Sequence, residues 1–147
     1  MPEIIGIDHI YIAVSDMQRS ERFYDAVMRV LGFRKNTFTI GGDPHVQYFN
    51  RHFGYVIRPA RTARDHDAYA PGLHHLCLRV ATEDDVRTAA RALRAAGIDA
   101  GEAAHYPDYA PDYWAIFFTD PDGIRLEITN YRQERRERHD RWEPLSE

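Results

Sequence analysis

The chain has 147 residues and a mass of 17.1 kDa, the size of one ordinary domain. Apolar residues make up 44%, enough for a packed core, and the formal charge of −4 argues against a nucleic-acid binder that works by bulk charge. No run approaches the ~20 apolar residues of a membrane helix, no signal-peptide pattern opens the chain, and Cys77 is the single cysteine, so a disulfide framework is excluded. A cytoplasmic protein is expected, working neither on nucleic acid nor at a membrane. Eight histidines direct attention to a metal.

The elements repeat along the chain. Residues 6–14 read GIDHIYIAV and residues 72–80 read GLHHLCLRV. Ile10, Ile12 and Val14 alternate as Leu76, Leu78 and Val80 do, the pattern of a strand with one buried face. A helix follows each. The first starts near Asp16 and carries Phe23, Val27, Val30 and Leu31; the second starts near Thr82 and carries Val86, Ala89, Ala90, Leu93 and Ala96. Asp16 and Thr82 are N-cap residue types, and Gly32 and Gly97 fall where left-handed C-caps belong. Strand-like runs come next, over 33–40, 46–50 and 55–58 in the first half and over 98–104, 113–119 and 124–130 in the second. Asp120-Pro121-Asp122-Gly123 reads as a hairpin turn between the last two.

The predicted organisation is therefore α+β, with two βαβββ modules in tandem. Module one covers 4–59, a polar linker 60–71, module two 72–131, and an Arg- and Glu-rich tail 132–147 is a short helix. In the tail, Glu134 with Arg138 and Glu137 with Arg141 have the favourable i,i+4 order. The tail is either a solvated helix or an arm that packs on a second subunit through Trp142.

Parity singles out three residues. His9 lies opposite the isoleucines of its strand, His75 opposite the leucines of the equivalent strand, and Glu127 opposite Ile124, Leu126 and Ile128. His75 follows His9 by 66 residues, the offset of the repeat. In a curled sheet the three can converge, and two imidazoles with one carboxylate suit a divalent transition metal that keeps positions open. His74 falls on the opposite face by alternation and reads as a packing or supporting residue. Tyr11 and Cys77 share the ligands' parity; Tyr11 is a pocket-wall candidate, Cys77 either that or a small core residue. If Arg58 faces the cup it can fork an anionic substrate group; the surface reading is the commoner one for an arginine. The loop 105–113 carries Tyr106, Tyr109 and Tyr113, which either cover a substrate or cap the sheet edge.

These stretches resemble the vicinal oxygen chelate superfamily, which includes glyoxalase I, fosfomycin and bleomycin resistance proteins, epimerases and extradiol dioxygenases. The resemblance is carried by HIYIAVSD at 9–16, SERFY at 20–24 with LGF at 31–33, HLCLRV at 75–80, and FTDPDGIRLE at 118–127. It implies an open, curled-sheet cup around one divalent metal (Fe, Mn, Zn, Ni or Co), with ligands at His9, His75 and Glu127. It also implies a homodimer, with sites in some relatives shared across the interface. Relatives with four ligands place the fourth on the last strand of module one. Here that position falls on Arg58 or Ile57, neither of which binds a metal, so a three-ligand site fits better.

The expected function is a metal-dependent enzyme acting on a small molecule with vicinal oxygens, as a lyase, isomerase or ring-cleaving dioxygenase. Glu127 is the catalytic candidate, and Tyr11, Arg58, Tyr109 and Tyr113 are the substrate-binding ones. The alternative is a metal-free protein that sequesters a drug or other ligand, as bleomycin-resistance relatives do.

Overall fold

The structure, a computed structural model, describes residues 2–145; the ends of the predicted 1–147 domain and of the 132–147 tail lie outside the described residues. Module one runs β1 (His9–Val14), α1 (Met17–Val30), β2 (Arg34–Ile40), β3 (Asp43–Phe49) and β4 (Gly54–Pro59). Module two runs β5 (Leu76–Val80), α2 (Glu83–Ala95), β6 (Ala104–His105), β7 (Trp114–Thr119) and β8 (Arg125–Asn130). A last helix, α3, spans Gln133–Asp140. Each module forms its own four-stranded sheet, in the orders β1-β4-β3-β2 and β5-β8-β7-β6. The first and last strands of each module are parallel and the other pairs antiparallel.

Local chemistry fixes the helix ends. Asp16 accepts the Arg19 amide at 3.0 Å, and Thr82 with Asp85 forms a reciprocal capping box. Gly32 and Gly97 follow the C-caps with φ of 78° and 84°, a region that costs a side chain but not glycine. One core joins the modules: Tyr24 and Val27 of α1, Val86 and Leu93 of α2, and Ile57 and Ile128 of the sheets are fully buried in a single cluster. The modules are also latched. The buried Tyr24 hydroxyl donates to Asp120 Oδ2 and accepts from the Tyr55 hydroxyl, both at 2.8 Å, and the Ser15 amide donates to Asp122 Oδ2 at 3.0 Å. The helical faces of the two sheets thus meet, and the opposite faces carry exposed side chains such as Tyr11 and Phe117. Among the described residues no helix is long and apolar enough to cross a membrane.

Two expectations change. The strand expected over 98–104 shrinks to Ala104–His105. Residues 98–103 are rich in Gly, Ala and acidic residues, which favour strands poorly, and the Ala100 amide turns back to Ile98 O. In the tail, Glu134 pairs with Arg132 at 3.1 Å and Glu137 accepts from Gln133 at 2.9 Å, in place of the expected arginine pairs. The residues of α3 are exposed or half-buried, and Trp142 lies beyond the helix, exposed.

Candidate functional site

Alternation on β8 turns Arg125, Glu127 and Thr129 to the face away from the helices. Parallel pairing sets Cys77 of β5 opposite Glu127, and His75 stands just before β5 on the same side. The result is a close pair: His75 Nε2 lies 3.5 Å from Glu127 Oε2. Glu127 is only 4% exposed, so its charge needs partners. Tyr113 supplies one, its hydroxyl donating to Oε1 and leaving Oε2 free toward His75.

Tyr113 is held from several sides. The Tyr106 amide donates to Tyr113 O at 2.8 Å, and the Arg132 guanidinium lies 4.4 Å over its ring. Asn130 pins the neighbouring chain, accepting the Trp114 amide at 3.0 Å and donating to Asp112 O at 2.9 Å. Burial, then the bond to the Glu127 carboxylate, pushes the Tyr113 hydroxyl well above the usual tyrosine range. Cys77 is exposed as a residue, yet desolvation of its thiol, followed by the Glu127 charge, pushes it up to about 12.

His74 was expected on the far face. It lies before β5 begins, so strand alternation does not govern it. Its Nδ1 meets His75 Nδ1 at 2.8 Å, and both imidazoles line one cavity. With Nδ1 engaged, His75 presents Nε2 to Glu127. His9 repeats the pattern on the other sheet: its Nδ1 meets Asp8 Oδ1 at 2.5 Å, and its side chain is half exposed. A histidine whose Nδ1–H is held by a neighbour and whose Nε2 is open is arranged as metal-binding histidines are. Two donors bonded at ~2.1 Å to one ion at a tetrahedral angle stand ~3.4 Å apart, so the His75–Glu127 separation needs no rearrangement.

The structure does not bring all the expected site residues together. His9 is on the module-one sheet with Tyr11, whose ring sits edge-on to His9 at 5.5 Å and to His45 at 5.7 Å. Among the described residues no three metal-binding side chains gather in one place. Tyr109 and Tyr113 line a cavity of about 930 Å³ with His75 and Glu127; Tyr11 and Arg58 do not. Arg58 shares the face of Tyr11, but its guanidinium is engaged by Asp43, as is that of Arg61 at 3.1 Å. The register also settles the counterpart of Glu127. Tyr11 pairs with Val56 as Cys77 pairs with Glu127, so the position is Val56, not Arg58 or Ile57; it too lacks a donor.

Further residues line the cavity, among them His74, Tyr69 and Arg125. Parity on β8 could have found Arg125, two residues before Glu127. Tyr69 lies in the linker, where no periodicity marks it. His45, almost fully buried under the stacked Phe38 ring at 5.0 Å, was equally silent in the sequence.

The sequence model of the glyoxalase/bleomycin resistance protein/dioxygenase superfamily matches residues 6–128. Among solved structures, a domain of that description from Frankia sp. EAN1pec superposes with a TM-score of 0.71 at 22% identity, over 88% of this chain and 100% of its own. A fosfomycin resistance protein of Listeria monocytogenes gives 0.64 at 15% identity, over 91% and 99%. Lactoylglutathione lyase of Agrobacterium tumefaciens gives 0.60 at 18%, over 88% and 94%. At these identities the likeness shows the fold. No match is found among curated proteins. With tandem βαβββ modules and a family match across most of its length, this chain belongs to the glyoxalase/bleomycin resistance protein/dioxygenase superfamily.

Proposed function

We propose that the protein is a divalent-metal-dependent enzyme acting on a small substrate with two neighbouring oxygens, by lyase, isomerase or ring-cleaving dioxygenase chemistry. The observation that carries this reading is the His75–Glu127 pair, with Nε2 and Oε2 facing each other at 3.5 Å while Nδ1 and Oε1 are engaged behind them. Packing residues have no need of that division of donors. His9, with its Nδ1 held by Asp8, is the third ligand we assign. Its sheet is separate from the pair, and the open faces of both sheets point away from the shared core. The site is therefore completed in a homodimer, by His9 of the partner subunit.

A bound divalent ion would supply Lewis-acid stabilisation of developing oxyanion charge, or a seat for a chelating diol. The chain's own residues do the rest. Tyr113 holds the Glu127 carboxylate in one orientation, and the Asn130 anchors hold the loop that carries Tyr113. Glu127 Oε2, when not a ligand, is the base we assign to take a substrate proton. Tyr109 and Phe117, both exposed in the cavity lining, cover the substrate and limit water.

One observation favours the rival reading of a metal-free sequestering protein. Tyr106 stacks on Tyr109 at 5.5 Å and meets Phe117 edge-on at 5.4 Å, a surface suited to a planar drug. Calorimetric titration of catechol and of lactate into metal-loaded and stripped protein separates the two. The enzyme reading expects binding that depends on metal and is lost in Glu127→Ala. Equal affinity with and without metal would overturn it in favour of sequestration.

A further inference from the structure

Arg125 is an exposed arginine at the start of β8. It lines the same cavity as Glu127 and shares its strand face, two residues and about 7 Å of backbone before it on β8. Like most arginines of the chain, Arg125 has no carboxylate partner within ion-pair distance among the described residues. Asp99, the other carboxylate on the lining, is not paired with it. Instead its guanidinium lies 5.0 Å over the Tyr69 ring and donates from Nη1 to the Tyr69 hydroxyl at 3.2 Å. Tyr69 in turn sits edge-on to His74 at 5.1 Å, which ties this arm to the His74–His75 pair. A cation laid on an aromatic shelf loses side-chain freedom before a ligand arrives, and its remaining N–H donors stay open.

The walls beside it are aromatic. Tyr109 and Tyr113 meet edge-on at 5.2 Å, and Phe117 lines the same cavity. Such a slot takes a flat ring. We infer that Arg125, steadied by Tyr69, is the anion-reading arm of this cavity, and that the substrate is a planar ring bearing two neighbouring oxygens and a carboxylate. This rests on the metal-dependent reading above. The two oxygens meet the His75–Glu127 end, and the carboxylate reaches the guanidinium, which binds it as a fork.

The test compares catechol with 3,4-dihydroxybenzoate, which differ only in the carboxylate. Both are titrated calorimetrically into metal-loaded and stripped protein, wild type and Arg125→Gln. The metal-loaded wild type is expected to bind the dihydroxybenzoate about tenfold to a hundredfold more tightly than catechol. Arg125→Gln is expected to erase that preference while catechol affinity, the internal control for an intact cavity, holds. Tyr69→Leu, which removes the shelf but keeps the charge, is expected to reduce the preference several-fold. Metal-dependent binding with equal affinity for both diols would overturn the role of Arg125 and leave the metal reading standing. A preference that survives stripping and is lost in Arg125→Gln would support Arg125 and count against the metal. Equal affinity in both forms, unchanged by the substitution, would overturn the inference.

Discussion

Replacing Tyr24 by Phe removes one oxygen from the centre of the molecule. The residue is fully buried, and its hydroxyl is the hinge between modules: it donates to Asp120 Oδ2 and accepts from Tyr55, each at 2.8 Å. The ring stays, so little apolar burial is lost. What remains is a buried Tyr55 hydroxyl without its acceptor and an Asp120 carboxylate short of one of three donors, the others being the Asp122 and Ile124 amides. Hydrogen bonds to a charged group are worth about 1.5–3 kcal/mol, and an orphaned buried donor adds to the loss, so a destabilisation of about 2–3 kcal/mol is expected at pH 7. The pH dependence has a definite sign. Burial holds the Asp120 carboxyl above its usual range, and the bonds from Ile124 and Tyr24 oppose that. A raised carboxyl penalises the folded state when ionised, and that penalty fades as pH falls through its folded pKa. Tyr24 stabilises the ionised form, so the cost of Tyr24→Phe shrinks on acidification through that pKa. Urea unfolding followed by circular dichroism, at fixed protein concentration and two pH values, measures both. Tyr48→Phe is the control: its hydroxyl donates to the half-exposed Asp25 at 2.8 Å, and a loss of about 1 kcal/mol or less is expected. A Tyr24→Phe cost under about 0.5 kcal/mol, or one no larger than that of Tyr48→Phe, would refute the latch.

Three further outcomes follow from named contacts. His74→Ala should leave a folded protein whose metal affinity falls roughly tenfold to a hundredfold, with partial recovery in His74→Asn; unchanged affinity would mean that the His74–His75 bond orients nothing. Asn130→Ala should cost about 1–3 kcal/mol in urea unfolding, because it strips the Trp114 amide and Asp112 carbonyl of partners beneath the tyrosine loop. Asp43 is held below the usual carboxylate range by hydrogen bonds from Arg61 and Arg58, so its stabilisation is present above the unfolded pKa of about 3.9 and lost as pH falls through the lower folded value. Asp43→Asn should therefore unfold more readily than wild type at pH 7 and lose less stability on acidification; parallel pH profiles would contradict that.

Much of the fold was legible because the repeat is written in local signals. Alternation in 9–14 and 76–80, the caps at Asp16 and Thr82, and the glycines at 32 and 97 each act within a few residues, and the structure forms each where the pattern lies. The segment 98–103 failed because an edge strand is decided by its neighbour more than by its own residues. Within the site, parity foresaw the face of Glu127 but not its depth; burial beneath Tyr113 depends on a loop anchored from Asn130, seventeen residues away. His74 was misplaced because alternation was extended two residues ahead of the start of β5. The separation of His9 from the other two was invisible for a different reason. Parity states which face a residue takes on its own sheet and says nothing about which sheets face each other.

That separation makes subunit complementation the most direct test of a site shared between two copies. His9→Ala and Glu127→Ala proteins, carrying different affinity tags, are prepared alone and co-expressed, and the mixed dimer is isolated through both tags for metal analysis. Each parent should hold little metal. In the mixed dimer one site regains wild-type His9, His75 and Glu127, so about one ion per dimer is expected, together with metal-dependent binding of catechol. A mixed dimer as empty as its parents, or a chain that will not dimerise yet fills with metal alone, would contradict the account.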